Sequence, residues 1–124
     1  MKAKPVILVV DDLTQNNELL EAYLVPQGYE VIKAVSGEEA FKKLADNQID
    51  LILLDVMMPG MDGFEVTRRI RQDPKTRLMP IILVTALKET EDRIKGIKAG
   101  CDDYISKPID IELLFNKINK LFNQ

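Results

Sequence analysis

The 124-residue sequence contains no histidine and a single cysteine, Cys101. The absence of histidine excludes Ser-His-Asp and Cys-His nucleophile systems, zinc sites with histidine ligands and acid–base catalysis by imidazole. A single cysteine excludes an internal disulfide and argues against a metal site built from thiolates. Any chemistry must therefore depend on carboxylates, hydroxyls, lysine, backbone groups or a bound metal.

The sequence also lacks long hydrophobic runs and an excess of positive charge. Lysine and arginine total 17 against 20 aspartates and glutamates, so the net charge is −3, which argues against direct binding to nucleic acid or anionic lipid. The apolar run near the N-terminus, Val6–Val10, is too short for a secretory signal or a membrane span. We therefore expect a soluble, cytoplasmic protein with one domain over residues 1–124 and no effector domain.

Short apolar segments alternate with amphipathic segments along the chain. We predict strands at Val6–Val10, Tyr29–Val35, Leu51–Val56, Ile81–Val84 and Tyr104–Ile105. Continuous runs of Val, Ile and Leu are typical of parallel strands that are buried on both faces. The alternation predicts a doubly wound α/β sheet with five helices, and we take the strand order 2-1-3-4-5 by analogy with known sheets of this kind.

Signals for helix starts and ends separate the predicted strands. The first predicted helix carries Leu19, Leu20, Tyr23 and Leu24 and ends at Pro26–Gly28, and the second begins at a capping box of Ser36 and Glu39. The third helix is capped by Asp62, the fourth begins at Thr90 or Glu91 and ends at Gly100, and the fifth is capped by Asp110.

Polar side chains lie at the ends of four of these predicted strands. They are Asp11 and Asp12 after strand 1, Asp55 at the end of strand 3, Thr85 after strand 4 and Lys107 after strand 5. In a doubly wound sheet, ligands bind at the carboxyl ends of the strands, near the switch in strand order. We therefore expect three carboxylates, a hydroxyl and an ammonium group to converge on one edge of the sheet.

The charge of this cluster indicates a missing cation. Three carboxylates against one ammonium leave a net negative charge that a divalent cation would neutralise. Oxygen ligands without nitrogen or sulfur favour Mg²⁺, with Mn²⁺ as an alternative. Mg²⁺ also binds phosphate oxygens, and a carboxylate can attack phosphorus to form an aspartyl-phosphate. The pattern is therefore suited to bringing a phosphoryl group to a carboxylate.

Four separated motifs resemble the receiver domain of two-component response regulators. They are Asp11-Asp12, then Asp55 followed by Pro59 and Gly63, then Thr85-Ala86, then Lys107-Pro108. The resemblance extends from Val6 to the last predicted helix and implies a flavodoxin-like receiver fold. It also implies a switch that does not act as an enzyme on other substrates, and that catalyses only its own phosphorylation and dephosphorylation.

The resemblance implies specific roles around the acidic cluster. Asp55 would be the phosphoacceptor, and Mg²⁺ would be held by Asp11, Asp12, Asp55 and the backbone carbonyl of Met57. Lys107 would contact the phosphoryl oxygens.

Further roles concern the segments after strands 4 and 5. Thr85 would turn inward to the phosphoryl group, and Ala86 would offer its backbone N–H. Tyr104 would be an aromatic switch residue that moves between exposed and buried rotamers as Thr85 moves. The Lys107–Pro108 peptide would be cis, which an X-Pro bond permits at low cost.

The resemblance also implies partners. The phosphoryl donor would be a phosphohistidine on a histidine kinase or a histidine phosphotransfer protein, with small acyl phosphates as a substitute. The output would be a downstream protein target, reached through the surface of strand 4, helix 4, strand 5 and helix 5. The chain would be a monomer or a weak dimer linked to phosphorylation.

Two other functions stay open at this point. An aspartate-nucleophile phosphatase uses the same chemical groups but usually has an Asp-x-Asp on strand 1 and a cap insertion, and this chain has Asp11-Asp12 and little room for a cap. A receiver that works without phosphorylation would not need the intact acidic set. Met57 and Leu87 flank the expected path of the attacking water, and because both are apolar we predict slow self-dephosphorylation.

Overall fold

A computed structural model describes residues 4–123, so residues 1–3 and 124 of the predicted domain lie outside the described part. The strands are β1 (Val6–Val10), β2 (Glu30–Ala34), β3 (Leu51–Asp55), β4 (Ile81–Thr85) and β5 (Asp103–Ser106). The helices are α1 (Thr14–Leu24), α2 (Gly37–Asp46), α3 (Gly63–Gln72), α4 (Thr90–Ala99) and α5 (Ile111–Phe122), with a short 3₁₀ turn at Val25–Gln27.

The five strands of residues 4–123 form one parallel sheet in the order β2-β1-β3-β4-β5, as predicted. All residues of β3 and β4 are buried, which agrees with their continuous apolar sequences. Alternate strand residues enter two hydrophobic clusters on opposite faces of the sheet. Helices α1 and α5 cover one face, and α2, α3 and α4 cover the other.

Side-chain caps start three of the helices at the predicted residues. Ser36 Oγ accepts a hydrogen bond from Glu39 N at 3.1 Å, and Glu39 Oε1 accepts from Val35 N at 2.7 Å. The capping box therefore closes one residue earlier than in its usual form. Asp62 and Asp110 likewise accept from backbone N–H groups in the first turns of α3 and α5.

Helix α1 buries only part of its apolar side chains. Leu20 and Leu24 face the core, but Leu19 and Tyr23 are 56% and 45% exposed, and the third buried residue of the helix is Asn17. Asn17, Leu20 and Leu24 lie three and four residues apart, so they form one stripe of the helix, and this stripe faces the sheet. Within residues 4–123, no helix combines the length and apolar character that crossing a membrane requires.

Candidate functional site

The predicted polar residues converge at the carboxyl end of the sheet. Asp11 directly follows β1 and Asp55 ends β3, and these two strands are neighbours in the sheet. Each of Asp11, Asp12 and Asp55 offers a carboxylate oxygen, and the three oxygens lie within 4.8 Å of one another. Lys107 follows β5 and reaches the same place. The fold therefore brings together the acidic cluster and the ammonium that the sequence predicts there.

The Asp11 carboxylate is buried and receives three donors. Its Oδ1 accepts from Leu13 N at 2.9 Å, and its Oδ2 accepts from Asn16 Nδ2 and from Lys107 Nζ, both at 3.0 Å. The side chain is 5% exposed. Since a buried carboxylate needs hydrogen bonds or a counter-charge, these donors satisfy the Asp11 carboxylate and hold it in one orientation.

Asp55 lies beside it with weaker contacts. Lys107 Nζ is 3.6 Å from Asp55 Oδ2, and Met57 N is 3.4 Å from Asp55 Oδ1. Burial raises the pKa of the Asp55 carboxyl, the Lys107 ammonium opposes this increase, and the Asp11 and Asp12 carboxylates add to it. A cation at this position would offset the burial and the repulsion, and the all-oxygen donor set suits Mg²⁺.

Helix α3 begins in close contact with the backbone of this site. Gly63 N donates to Val56 O at 2.9 Å. A Cβ at Gly63 would overlap the Asp55 carbonyl oxygen and lie 2.8 Å from Val56 Cα. Glycine is therefore required here because the start of α3 packs directly on the backbone at the end of β3.

Thr85 and Tyr104 are joined through the backbone of Leu87. The buried Thr85 Oγ1 accepts from Leu87 N at 3.2 Å, and the Tyr104 hydroxyl donates to Leu87 O at 3.0 Å. Tyr104 is 5% exposed, and the Arg93 guanidinium lies 5.6 Å from the centre of its ring. The structure thus holds Tyr104 in a buried position.

The other predicted residues surround the opening of the site. Met57 and Ala86 are exposed, and Leu87 is half-buried. The Lys107–Pro108 peptide is cis.

Two asparagines in the first turn of α1 also contact the site, and the sequence patterns did not indicate them. Asn16 binds the Asp11 carboxylate, and Asn17 binds the Asp11 backbone carbonyl. Neither belongs to a sequence motif, and neither is an apolar residue that helical periodicity would assign to the core. Their roles arise only when the start of α1 packs beside the end of β1.

The fold and the acidic site are those of the response regulator receiver domain, and a model of that family matches residues 7–119. The chain belongs to this family. It is 50% identical over 115 residues to the response regulator PleD of Caulobacter vibrioides, an alignment that covers 93% of this chain and 25% of PleD. The chain thus spans a quarter of the length of that relative.

Solved structures show the same similarity. The chemotaxis protein CheY4 of Vibrio cholerae superposes with a TM-score of 0.90 at 30% identity, covering 96% of this chain and 99% of that one. The response regulator TrrA of Thermotoga maritima, solved in complex with Mg²⁺-BeF, has a TM-score of 0.84 at 39% identity, with coverage of 94% and 98%. The flavodoxin-like receiver fold is therefore confirmed.

Proposed function

We propose that this chain is a phosphoacceptor switch in which Asp55 takes a phosphoryl group from a phosphohistidine on a partner protein. The observation that carries the proposal is the convergence of Asp11, Asp12, Asp55 and Lys107 at the carboxyl end of the sheet. The three carboxylates repel one another, and one ammonium does not balance their charge. A divalent cation would neutralise the remaining charge and would also bind a phosphoryl group.

The residues that would hold Mg²⁺ are Asp11, Asp12, Asp55 and the backbone carbonyl of Met57. All are hard oxygen donors, and the Mg²⁺-BeF complex of the similar protein TrrA supports this choice of metal. When bound, Mg²⁺ would neutralise charge on the phosphoryl oxygens. Mn²⁺ has the same ligand preference and is an alternative.

The transfer step needs an ionised Asp55. A carboxylate oxygen of Asp55 attacks phosphorus, an O–P bond forms, and the P–N bond of the donor breaks. The electron pair of the P–N bond stays on the donor imidazole, which leaves as the neutral base when its other nitrogen carries a proton. Lys107, 3.6 Å from Asp55 Oδ2, is placed to pair with the incoming phosphoryl oxygens.

Thr85 and Tyr104 would transmit the change. A phosphoryl group on Asp55 would accept a hydrogen bond from the Thr85 O–H, with the Ala86 backbone N–H as a further donor to the group. Turning Thr85 toward that group would disturb the bond that its oxygen accepts from Leu87 N–H. Any shift of the Leu87 backbone disturbs its carbonyl, which holds the Tyr104 hydroxyl. The signal would then reach the surface of β4, α4, β5 and α5, where a downstream protein binds.

The partner would dock beside the site. A mostly apolar groove of about 280 Å³ adjoins Lys107 and Asp11, and Leu19, Tyr23, Ile109 and other side chains line it. Leu19 and Tyr23 are exposed although they are large and apolar. A surface of this kind next to the acceptor fits a protein donor that covers the groove while its phosphohistidine reaches Asp55.

The apolar side chains beside the acidic site lead us to predict a slow loss of the phosphoryl group from Asp55. Met57 and Leu87 lie two residues beyond Asp55 and Thr85, and their side chains cannot hydrogen-bond an attacking water. Replacing them together by Asn and Gln should shorten the lifetime of the phosphorylated state. An unchanged decay rate would contradict this part of the proposal.

The test uses Mg²⁺ and beryllofluoride, a mimic of the phosphoryl group, followed by NMR. In the wild-type chain we expect the amide signals of Thr85, Ala86 and Tyr104 to shift when both are added. Asp55→Asn should abolish these shifts. A wild-type chain that does not respond would favour an interaction module independent of phosphorylation, and turnover of phosphomonoesters would favour a phosphatase.

A further inference from the structure

Asn17 is a polar residue in an otherwise apolar buried stripe. It lies in the first turn of α1 and is 1% exposed, and the other buried residues of that helix are Leu20 and Leu24. An apolar residue is the usual choice at such a position, because a buried amide is costly unless its polar atoms find partners. Its contacts must therefore explain why an asparagine is there.

The Asn17 amide nitrogen joins the ends of two strands. Nδ2 donates to Asp11 O and to Ala34 O, both at 3.0 Å. Ala34 is the last residue of β2, and its carbonyl also accepts from Asp11 N at 3.2 Å. The Asn17 side chain thus binds one carbonyl just after β1 and one at the end of the neighbouring strand β2.

The amide oxygen of Asn17 makes no such contact. Oδ1 is buried and has no hydrogen-bond partner within residues 4–123. Rotating the amide would not help, since it would direct Oδ1 at two carbonyl oxygens. An unpaired buried acceptor lowers stability, so Asn17 is a poor choice for stability alone.

The bond to Asp11 O has a direct consequence for the acidic cluster. Asp11 O belongs to the peptide that joins Asp11 to Asp12, so its orientation sets where both carboxylates emerge from the chain. Asn16 fixes the Asp11 side chain separately, through Oδ2 at 3.0 Å.

We propose that Asn17 is a positioning residue that orients the Asp11–Asp12 peptide and thereby presents both carboxylates to Mg²⁺. The inference rests on the proposed function, because it assigns Asn17 to the metal site of that function. Mutating a residue that hydrogen-bonds and orients a metal ligand commonly lowers metal affinity by about 10- to 100-fold. We expect Asn17→Leu to raise the Mg²⁺ dissociation constant by about 10-fold, because it keeps the volume but removes both hydrogen bonds.

The experiment is an NMR titration with Mg²⁺ alone, read from the amide shifts of Asp12 and Met57, with melting temperatures measured in EDTA. Leu24→Ala is the matched control, because it creates a cavity on the same helix far from the metal ligands. It should lower the melting temperature and leave Mg²⁺ affinity unchanged. Asn17→Ser, which keeps a single donor, should give an intermediate affinity and covers the case in which Asn17→Leu does not fold.

The outcomes separate the two proposals. Weaker Mg²⁺ binding in the Asn17 variants, without a matching change in Leu24→Ala, supports the positioning role. Wild-type affinity in Asn17→Leu or Asn17→Ser overturns it and leaves the proposed function standing. A wild-type chain that shows no Mg²⁺-dependent shifts overturns the proposed function and this inference together.

Discussion

At the scale of single residues, the surroundings of Asp55 affect both its chemistry and the stability of the fold. Asp55 is 6% exposed, and burial together with Asp11 and Asp12 raises the pKa of its carboxyl above the ordinary 3.8. At pH values between 3.8 and the raised pKa of Asp55, the folded chain therefore binds more protons than the unfolded chain. The free energy of unfolding consequently falls as pH rises through that window, and it stays reduced at neutral pH.

We predict that Asp55→Asn stabilises the chain at pH 7 in the absence of Mg²⁺. The gain should be on the order of 1 kcal/mol, or roughly 4 °C in Tm for a domain of this size. At acidic pH, where the wild-type carboxyl is protonated, the difference should disappear. Thermal melts in EDTA at several pH values measure it, and a lower Tm for Asp55→Asn at pH 7 would contradict the prediction.

Cys101 should be an unreactive thiol. It is half-buried, and burial, together with the charges of Asp102 and Asp103, raises its pKa to about 11. Since the thiolate is the nucleophile, alkylation by iodoacetamide at pH 8 should be slow in the folded chain and fast after unfolding in guanidinium. Equal rates in the two states would show that the thiol is not protected.

The residues of the site differ in how well the sequence predicts them. Asp11, Asp55 and Lys107 could be located because each follows an apolar run, and parallel strands end at one edge. Asn17 could not be located, because its partners, the carbonyls of Asp11 and Ala34, come together only in the folded sheet. A sequence pattern records periodicity along one element and contains no contacts between elements.

At the scale of helices and strands, Arg71 near the end of α3 connects several segments of the chain. Its Nε donates to Gly100 O at 2.8 Å, and its Nη1 donates to Arg77 O at 3.0 Å and Met79 O at 2.7 Å. Its Nη2 pairs with Asp102 Oδ2 at 2.9 Å. The guanidinium thus fastens the α3–β4 loop, the end of α4 and the turn before β5.

We predict that Arg71→Met lowers the free energy of unfolding by about 2–4 kcal/mol, because three carbonyls lose the donor that Arg71 supplies and the Asp102 carboxylate loses its ion-pair partner. Urea denaturation measures the effect. Arg68→Ala is the control, since Arg68 forms an exposed ion pair with Glu65, and exposed ion pairs contribute little to stability. Equal effects of the two substitutions would contradict the role of Arg71.

Helix α4 shows why burial could not be predicted from apolar pattern alone. Ile94 and Ile97 are 44% and 62% exposed, whereas Gly96 and Ala99 are buried. A Cβ at Gly96 would lie 3.0 Å from Leu83 Cδ1. Small residues face the sheet because the helix packs close to it, so the larger isoleucines remain on the outer side.

At the scale of the whole molecule, the apolar groove beside the acidic site allows phosphorylation by a protein donor to be distinguished from phosphorylation by a small acyl phosphate. In the proposed function, a small acyl phosphate would need only the acidic site, whereas a protein donor would also need the surface around it. Leu19, 56% exposed on α1, lines that groove. A charge at position 19 should therefore slow phosphoryl transfer from a protein donor and leave transfer from a small acyl phosphate unchanged.

We predict that Leu19→Asp slows phosphoryl transfer from a phosphorylated histidine phosphotransfer protein by about 10-fold or more, since a charge in an apolar contact costs at least ~1.4 kcal/mol. Phosphorylation by a small acyl phosphate should be unchanged. Leu78→Asp is the matched control, because Leu78 is 82% exposed on the loop before β4 and should affect neither route. Equal slowing of both routes by Leu19→Asp would contradict the docking surface.

The architecture of the whole molecule was more predictable than its details. Alternating apolar and amphipathic segments led to the parallel sheet, while the strand order came by analogy and is confirmed. The absence of an effector domain and the cytoplasmic location stay predictions, and this chain spans a quarter of PleD.

The most direct test of the central claim is the intact mass of the protein after incubation with a small acyl phosphate and Mg²⁺. A phosphoacceptor role for Asp55 predicts a gain of about 80 Da on a single site, located at Asp55 by peptide mapping, and no gain in EDTA or in Asp55→Asn. A gain that persists in Asp55→Asn, or no gain in a wild-type chain that is folded and supplied with Mg²⁺, would contradict it.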